Sequence, residues 1–497
     1  MTKTTGATAE RPGLRASYPL LIDGVFREGE DGRTTEVVSP RDGAVITRVV
    51  EPTAGDISQA VAAARRAADG SWRWSNPRDR ARLLLDWAAL ISAHADELAL
   101  LEAIDTGKPI KHVRTNDLPV ALESLAFFAA QTRDATGLTF PLADADAIHH
   151  PLADPVGVVV ELLPWNGPIW TGVQRVAGAI ATGNAVIAKP SELGAVVFVR
   201  LVELLIEAGL PAGVVNIVYG GPEVGETLVT DPRVDLISLT GGTRTGSRVL
   251  ELAARSIKKV SLELGGKNPF VVLGDADVAL AAMWANLGAF ANAGQICISA
   301  SRFLVEEKVY DEFVDLFQAN AAKLRVGDPL DDESDVGTVI SADAAERIWT
   351  VIDEASGVST LVSGGVRYKD ELRSAGAFVP PTIFADVPRN ASVVNEEVFG
   401  PVAAIYPVKD VADAIAMANE SRYGLSAGVF TRDLDNAWSL ARGIRAGEIY
   451  VNRWFSPGVL EAPVEGFKQS GVGRAGISKY LQPKNVFFSH NLSALTN

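Results

Sequence analysis

The sequence predicts an α/β fold made of two successive parallel-sheet units, with a small pair of strands outside both. Three observations lead to it. After Asp154, short β-branched runs alternate with helical stretches; a second series of the same kind follows the first; and two further strand-like stretches belong to neither series. A chain of 497 residues is too long for one simple core, and a hydrophobic fraction of 47% can fill the interior of two or three domains.

Taken in order, the opening "MTKTTGATAERPGLRAS" is polar and small, a loose lead-in without the apolar centre of a signal peptide, and order begins at Leu20. From Arg78 to Gly107, Leu84, Trp87, Ile91, Ala95, Leu98 and Leu101 recur at helical spacing, which reads as the core-facing side of one long helix. The first strand series is "GVVVELLP", "NAVIAKP", "GVVNIVYG", "VDLISLTGG" and "KKVSLELGG". The second is "FVVL", "RFLVEE", "VAAIYPV", "LSAGVFT" and "EIYVN", with a helix beginning near Lys308 among its connections. "DADAIHHPLADPVG" and the terminal "KNVFFSHNLSAL" are the outlying strands, whose open edges invite pairing with another subunit.

Charge narrows the partners. A formal net charge of −15 repels phosphate backbones and anionic lipid, so neither nucleic acid nor a membrane surface is expected, and a small molecule is. No apolar run approaches the roughly 20 residues that cross a bilayer. A single cysteine excludes an internal disulfide, and a cytoplasmic location is expected. His94, His112, His149, His150 and His490 lack zinc-like company, so no bound metal is expected.

The single cysteine, Cys297, lies in "AFANAGQICISASR". It is either a small buried hydrophobe or a reactive thiol. Gly294 lets the backbone approach a ligand, and amides near a helix start would lower the thiol pKa. Four motifs stand where β-runs end: "PWNGP" (164–168), "AKPSE" (188–192), "LTGGTRTG" (239–246) and "LELGGKNP" (262–269). Ligands of open α/β sheets bind at such strand ends. Each motif also has a plain reading, with Asn166 a turn former, Glu263 a strand-end carboxylate facing water and the glycines a tight turn. No G-x-G-x-x-G follows a strand. "GLSAG" (424–428) fits a nucleophile elbow, but the residues after Ser426 continue as a strand, so the match is accidental.

These motifs, in this order, with "LLIDGVF", "DTGKPI", "GQICIS", "EEVFGPV" and "GFKQSGVGR", resemble the aldehyde dehydrogenase superfamily over nearly the whole chain, most of all its NAD-linked hydrolytic group. The resemblance implies a Rossmann-like cofactor-binding domain at 18–135 and 156–264, a catalytic α/β domain at 265–467, and a small β oligomerisation element at 136–155 and 480–497 that would make a homodimer or homotetramer. It implies Cys297 as nucleophile, Glu263 as general base for hydrolysis of the thioester, and Asn166 as oxyanion donor with the main-chain N–H of Cys297. For the cofactor it implies Lys189 and Glu192 at the adenosine ribose, favouring NAD over NADP, and Gly241, Gly242 and Gly246 at the pyrophosphate. Glu397 and Phe399 would meet the nicotinamide riboside, and Trp165 would lie on the adenine-side phosphate path.

Departures from the family pattern are Leu239 for phenylalanine, Gly242 for serine, and Val464, Glu465 and Ala475 for phenylalanine, glycine and glutamate. Gly167 replaces an aromatic, which is expected to widen the substrate tunnel. Trp170, Ile296, Ile298, Trp454 and Phe455 would line it with a mostly apolar, aromatic wall suited to a bulky or aromatic aldehyde, although Trp454 and Phe455 have an equal reading as packing of the anchor loop. An ω-amino aldehyde or other semialdehyde is the alternative substrate. A non-catalytic protein that keeps the fold is the alternative of another class; it would be favoured by loss of the thiol, base or oxyanion donor, and all three are present.

Overall fold

The computed structural model describes residues 13–133, 142, 147–455, 460–462, 464–473 and 476–489. Ala475, His490 and the outer parts of both outlying stretches fall outside them.

Two hydrophobic cores form. One gathers residues from Tyr18 to Leu264 and is joined by Tyr480; the other runs from Phe270 to Trp454. Each surrounds a sheet, because apolar β-branched runs bury both faces and helices must cover them. Val158–Leu162, for example, is buried at every position.

The first sheet has eight strands. Its five parallel members lie in the order Lys259–Glu263, Leu236–Thr240, Val158–Leu162, Ala185–Lys189 and Val215–Ile217. Leu20–Ile22 and Val25–Arg27 extend it antiparallel at one end. At the other end Gly471–Val472 pairs antiparallel with the strand that carries Glu263. The chain starts in the middle at Val158–Leu162, builds one way, and then crosses over to Leu236–Thr240. The crevice between those two strands is therefore a topological switch point, where open α/β sheets bind ligands.

The second sheet has seven strands, in the order Thr360–Ser363, Thr382–Ala385, Val402–Val408, Ala300–Glu306, Asn268–Val272, Ser426–Phe430 and Glu448–Val451, parallel except for the first. The second series of the sequence reading is found here, as the first is in the first sheet, and Thr360–Ser363 and Thr382–Ala385 are additions. Ala147–Pro155 and Leu481–Ser489 pair with each other as a separate antiparallel arm. Ile148, Phe487 and Phe488 stand exposed on that arm.

The long helix expected from Arg78 to Gly107 is two helices, Pro77–Ala93 and Ala95–Thr106. The break is His94 at φ −107° and ψ 19°, whose ring Nδ1 lies 2.8 Å from Glu97 Oε2 in the first turn of the second helix. The apolar spacing runs through the break, which is why it reads as continuous.

Candidate functional site

Asn166 leaves the first sheet just after Val158–Leu162, and the thiol arrives from the second unit. The two are laced together. Asn166 Nδ2 donates to the carbonyl of Gln295 at 2.9 Å, and Asn292 Nδ2 donates to the carbonyl of Asn166 at 3.2 Å. Asn292, Ala293 and Gly294 all adopt left-handed φ (49°, 52° and 71°). That costs free energy for the first two and is held because the turn is packed from all sides. At Gly294 a Cβ would overlap the carbonyl of Gly400, so only glycine completes the turn. Beyond it, Asn268 Nδ2 donates to the carbonyls of Cys297 and Ser299, each at 2.9 Å, and so holds the loop that presents the thiol. Sequence reasoning missed Asn268, though it lies inside "ELGGKNP".

Two cavities meet at the thiol, one of about 950 Å³ and one of about 580 Å³. Six residues line both: Asn166, Trp170, Thr171, Thr240, Glu263 and Cys297. The larger cavity is also lined by Trp165, Lys189, Glu192, Gly241, Gly242, Glu397 and Phe399. Lys189 Nζ lies 3.8 Å from Glu192 Oε1. Helix Thr243–Ala254 begins at Gly242 with no side-chain cap, so its first amides open toward the cavity, a ready anion site. Space around Gly242 is open, so the serine it replaces would find room.

Two cofactor expectations change. Gly246 does not line the cavity; a Cβ there would come 2.6 Å from Leu264 Cδ1, so the glycine lets the helix pack on that side chain. Trp165 packs edge-on against Phe399, with ring centroids 5.4 Å apart. The two aromatics expected at different ends of the cofactor path therefore stand together.

The smaller cavity is lined by Trp170, Ile296, Ile298, Trp454 and Phe455. Trp454 is also fully packed, 2% exposed, against Phe270 and Tyr450. The widening expected from Gly167 does not occur: a Cβ at Gly167 would overlap the Trp170 indole, which folds back over that position. The wall is mostly apolar, as expected, with charged groups set into it. Lys108, Asp117, Arg175, Glu448 and Lys479 are part of it, as is Val464.

Charge around the thiol also departs from expectation. Cys297 follows the Ala291–Gly294 turn and precedes the strand Ala300–Glu306, so it does not itself open a helix. Burial, then the carboxylates of Glu397, Glu263 and Glu448, push the thiol up to about 12, with the amide of Ile298 pulling the other way. Burial likewise raises Glu263, with Arg175 and Lys479 pulling the other way and Glu465 adding to the rise. Glu263 Oε1 is buried without a hydrogen-bond partner among the described residues. Glu448, also missed by sequence reasoning, is raised by burial and accepts from Tyr450 OH at 3.0 Å.

Ser426 opens the strand Ser426–Phe430, fully buried, with its amide on Asn268 Oδ1 at 3.1 Å. It is no nucleophile elbow. Among the described residues no acidic, histidine and cysteine group is arranged to hold a metal, and no helix is long and apolar enough to cross a membrane.

The model of the aldehyde dehydrogenase family matches residues 26–486 of this chain. A mitochondrial benzaldehyde dehydrogenase from Antirrhinum majus is 41% identical over 96% of this chain and 90% of its own length. Among solved structures, an NAD-dependent aldehyde dehydrogenase from Sinorhizobium meliloti superposes with a TM-score of 0.92 at 38% identity, covering 96% of this chain and 95% of that one. A gamma-glutamyl-gamma-aminobutyraldehyde dehydrogenase from Burkholderia cenocepacia gives 0.93 at 39% identity, covering 96% and 98%.

Proposed function

The chain belongs to the aldehyde dehydrogenase family, and on that footing we propose that it oxidises an aldehyde to a carboxylic acid with NAD, through a thioester on Cys297 that is hydrolysed by water activated by Glu263. The observation that carries this reading is the junction of the two cavities, where the thiol, the Asn166 amide and the Glu263 carboxylate line both.

The larger cavity fits a dinucleotide: an uncapped helix start suits a pyrophosphate, and the Lys189 and Glu192 pair suits a ribose while repelling a 2′-phosphate. NAD, when bound there, supplies the acceptor for the hydride. Cys297 Sγ attacks the aldehyde carbon to give a thiohemiacetal, whose oxyanion meets the Asn166 side-chain amide and the Cys297 main-chain N–H. One N–H of that amide is fixed on Gln295 O at 2.9 Å, which orients the other. After oxidation to the thioester, Glu263 takes a proton from water as its oxygen adds to the carbonyl carbon. A raised pKa suits that role, since a base poised nearer neutrality both accepts and returns a proton.

Residues 18–135 with 156–264 act as the cofactor domain, 265–467 as the catalytic domain, and the exposed arm serves self-association as a homodimer or homotetramer in the cytoplasm. Trp170, Trp454 and Phe455 favour a bulky apolar or aromatic aldehyde. Glu448 and Asp117 in the same wall favour the second reading, an ω-amino aldehyde.

The test is NADH formation across aliphatic, aromatic and amino aldehydes, run in parallel with NAD and NADP. Activity with NAD that vanishes in Cys297→Ala while NAD still binds supports the proposal. An active Cys297→Ala enzyme overturns it.

A further inference from the structure

Lys479 lies in the wall of the smaller cavity together with Glu263 and Cys297. Its amine donates to a neutral hydroxyl, Ser238 Oγ, at 2.8 Å, and Nζ stands 4.7 Å from the centre of the Tyr480 ring. In the parallel register, Ser238 sits beside Ser261 and Thr240 beside Glu263. Alternate strand residues share a face, so these four side chains form one polar row beneath the cavity. Ser261 Oγ and Glu263 Oε1 in that row are both buried without a hydrogen-bond partner among the described residues. Orphaned buried polar atoms beside a cavity of about 580 Å³ are where water is held.

Among the described residues, Lys479 is faced by Arg175 from the helix Pro168–Ala181, Glu161 from the strand Val158–Leu162, and Glu263 itself. Glu161 Oε1 is occupied by Tyr480 OH at 2.7 Å, and Arg175 Nη2 by Thr240 Oγ1 at 3.1 Å. A guanidinium does not give up its proton at ordinary pH, so of the two cations beside the base only Lys479 can exchange one. Burial, helped by Arg175, lowers its amine to about 7.

We propose that Lys479, through water in the polar row, receives the proton that Glu263 takes during hydrolysis of the thioester. The inference rests on the aldehyde oxidation proposed above. In the step, water oxygen bonds to the thioester carbon and one water proton passes to Glu263. The C–S bond breaks, the acid leaves and the sulfur departs as thiolate. The proton on Glu263 then moves through water to the neutral amine of Lys479, which restores the carboxylate, and the ammonium gives it up to solvent at the cavity mouth. No oxidant or reductant enters.

The step can be isolated without NAD. An activated ester, 4-nitrophenyl acetate, acylates Cys297 directly, so the initial burst of nitrophenol reads acylation and the steady release reads hydrolysis. In Lys479→Arg and Lys479→Met we expect the burst to persist and the steady rate near neutral pH to fall roughly tenfold. The rise of that rate with pH, centred near 7 in the parent, should disappear. Methylamine should restore Lys479→Ala. Lys479→Arg with the parent's rate and pH profile would overturn the relay, because charge alone would then suffice. Equal loss of burst and steady rate in Lys479→Arg would also overturn it, since that marks a role in architecture. A parent protein that turns over neither ester nor aldehyde would instead overturn the reading of the site.

Discussion

Iodoacetamide labels thiolates, and this chain has one cysteine, so mass spectrometry after labelling reads Cys297 alone. At pH 7.5 a free cysteine, with a pKa of about 8.5, is about one-tenth thiolate. Cys297, pushed up to about 12, is thiolate in roughly 3 molecules per 100,000, a deficit of about three-thousandfold. A more basic thiolate is a better nucleophile, with a Brønsted slope of about 0.4–0.5, which returns roughly 30- to 50-fold. Labelling in the cofactor-free protein should therefore run about a hundredfold slower than for free cysteine at pH 7.5 and climb about tenfold per pH unit to beyond pH 9. Glu448→Gln removes one of the carboxylates responsible and should speed labelling. A rate within tenfold of free cysteine at pH 7.5, or a plateau below pH 9, would refute the account of the thiol's surroundings.

Three other changes have definite outcomes. Asn166→Ala removes the side-chain oxyanion donor and should lower kcat by about 10²–10³ in a steady-state assay. Glu263→Gln should give one fast turnover of NADH in stopped flow and then stall at the thioester. Asp105 Oδ2 accepts the Val196 amide at 2.9 Å, and burial raises this carboxyl from 3.8 to about 8. The native state thus keeps a proton that the unfolded chain releases, and this contribution to stability, full below about pH 4, is lost as pH rises toward 8. Urea midpoints should fall less between pH 5 and 8 in Asp105→Asn than in the parent.

Central strands such as Val158–Leu162 and Asn268–Val272 are legible in the sequence because burial on both faces favours clusters of apolar β-branched residues. The strand-end motifs are legible because the turns that follow need particular residues. What was not legible depends on side chains meeting across the chain. Gly167 read as empty space, yet Trp170, three residues on, turns back over it. The thiol read as activated by amides, because nothing local announces that Glu448 and Glu397, each at least a hundred residues later, face it. Gly471–Val472 is too short for any pattern, and its pairing with Leu262 and Glu263 is visible only in the folded sheet.

That short return strand bears on synthesis. By the time the ribosome has passed Glu263, the parallel strands of the first sheet exist; by Val451 the second sheet does too. The edge beside Glu263 nevertheless stays open until Gly471–Val472 emerges and pairs with it. Chains that stop short of this point carry the base at the end of an uncovered strand, prone to pair with a neighbouring chain. The site is thus completed only when this late pair of residues has been made, and catalytic activity is a check that translation has passed Val472.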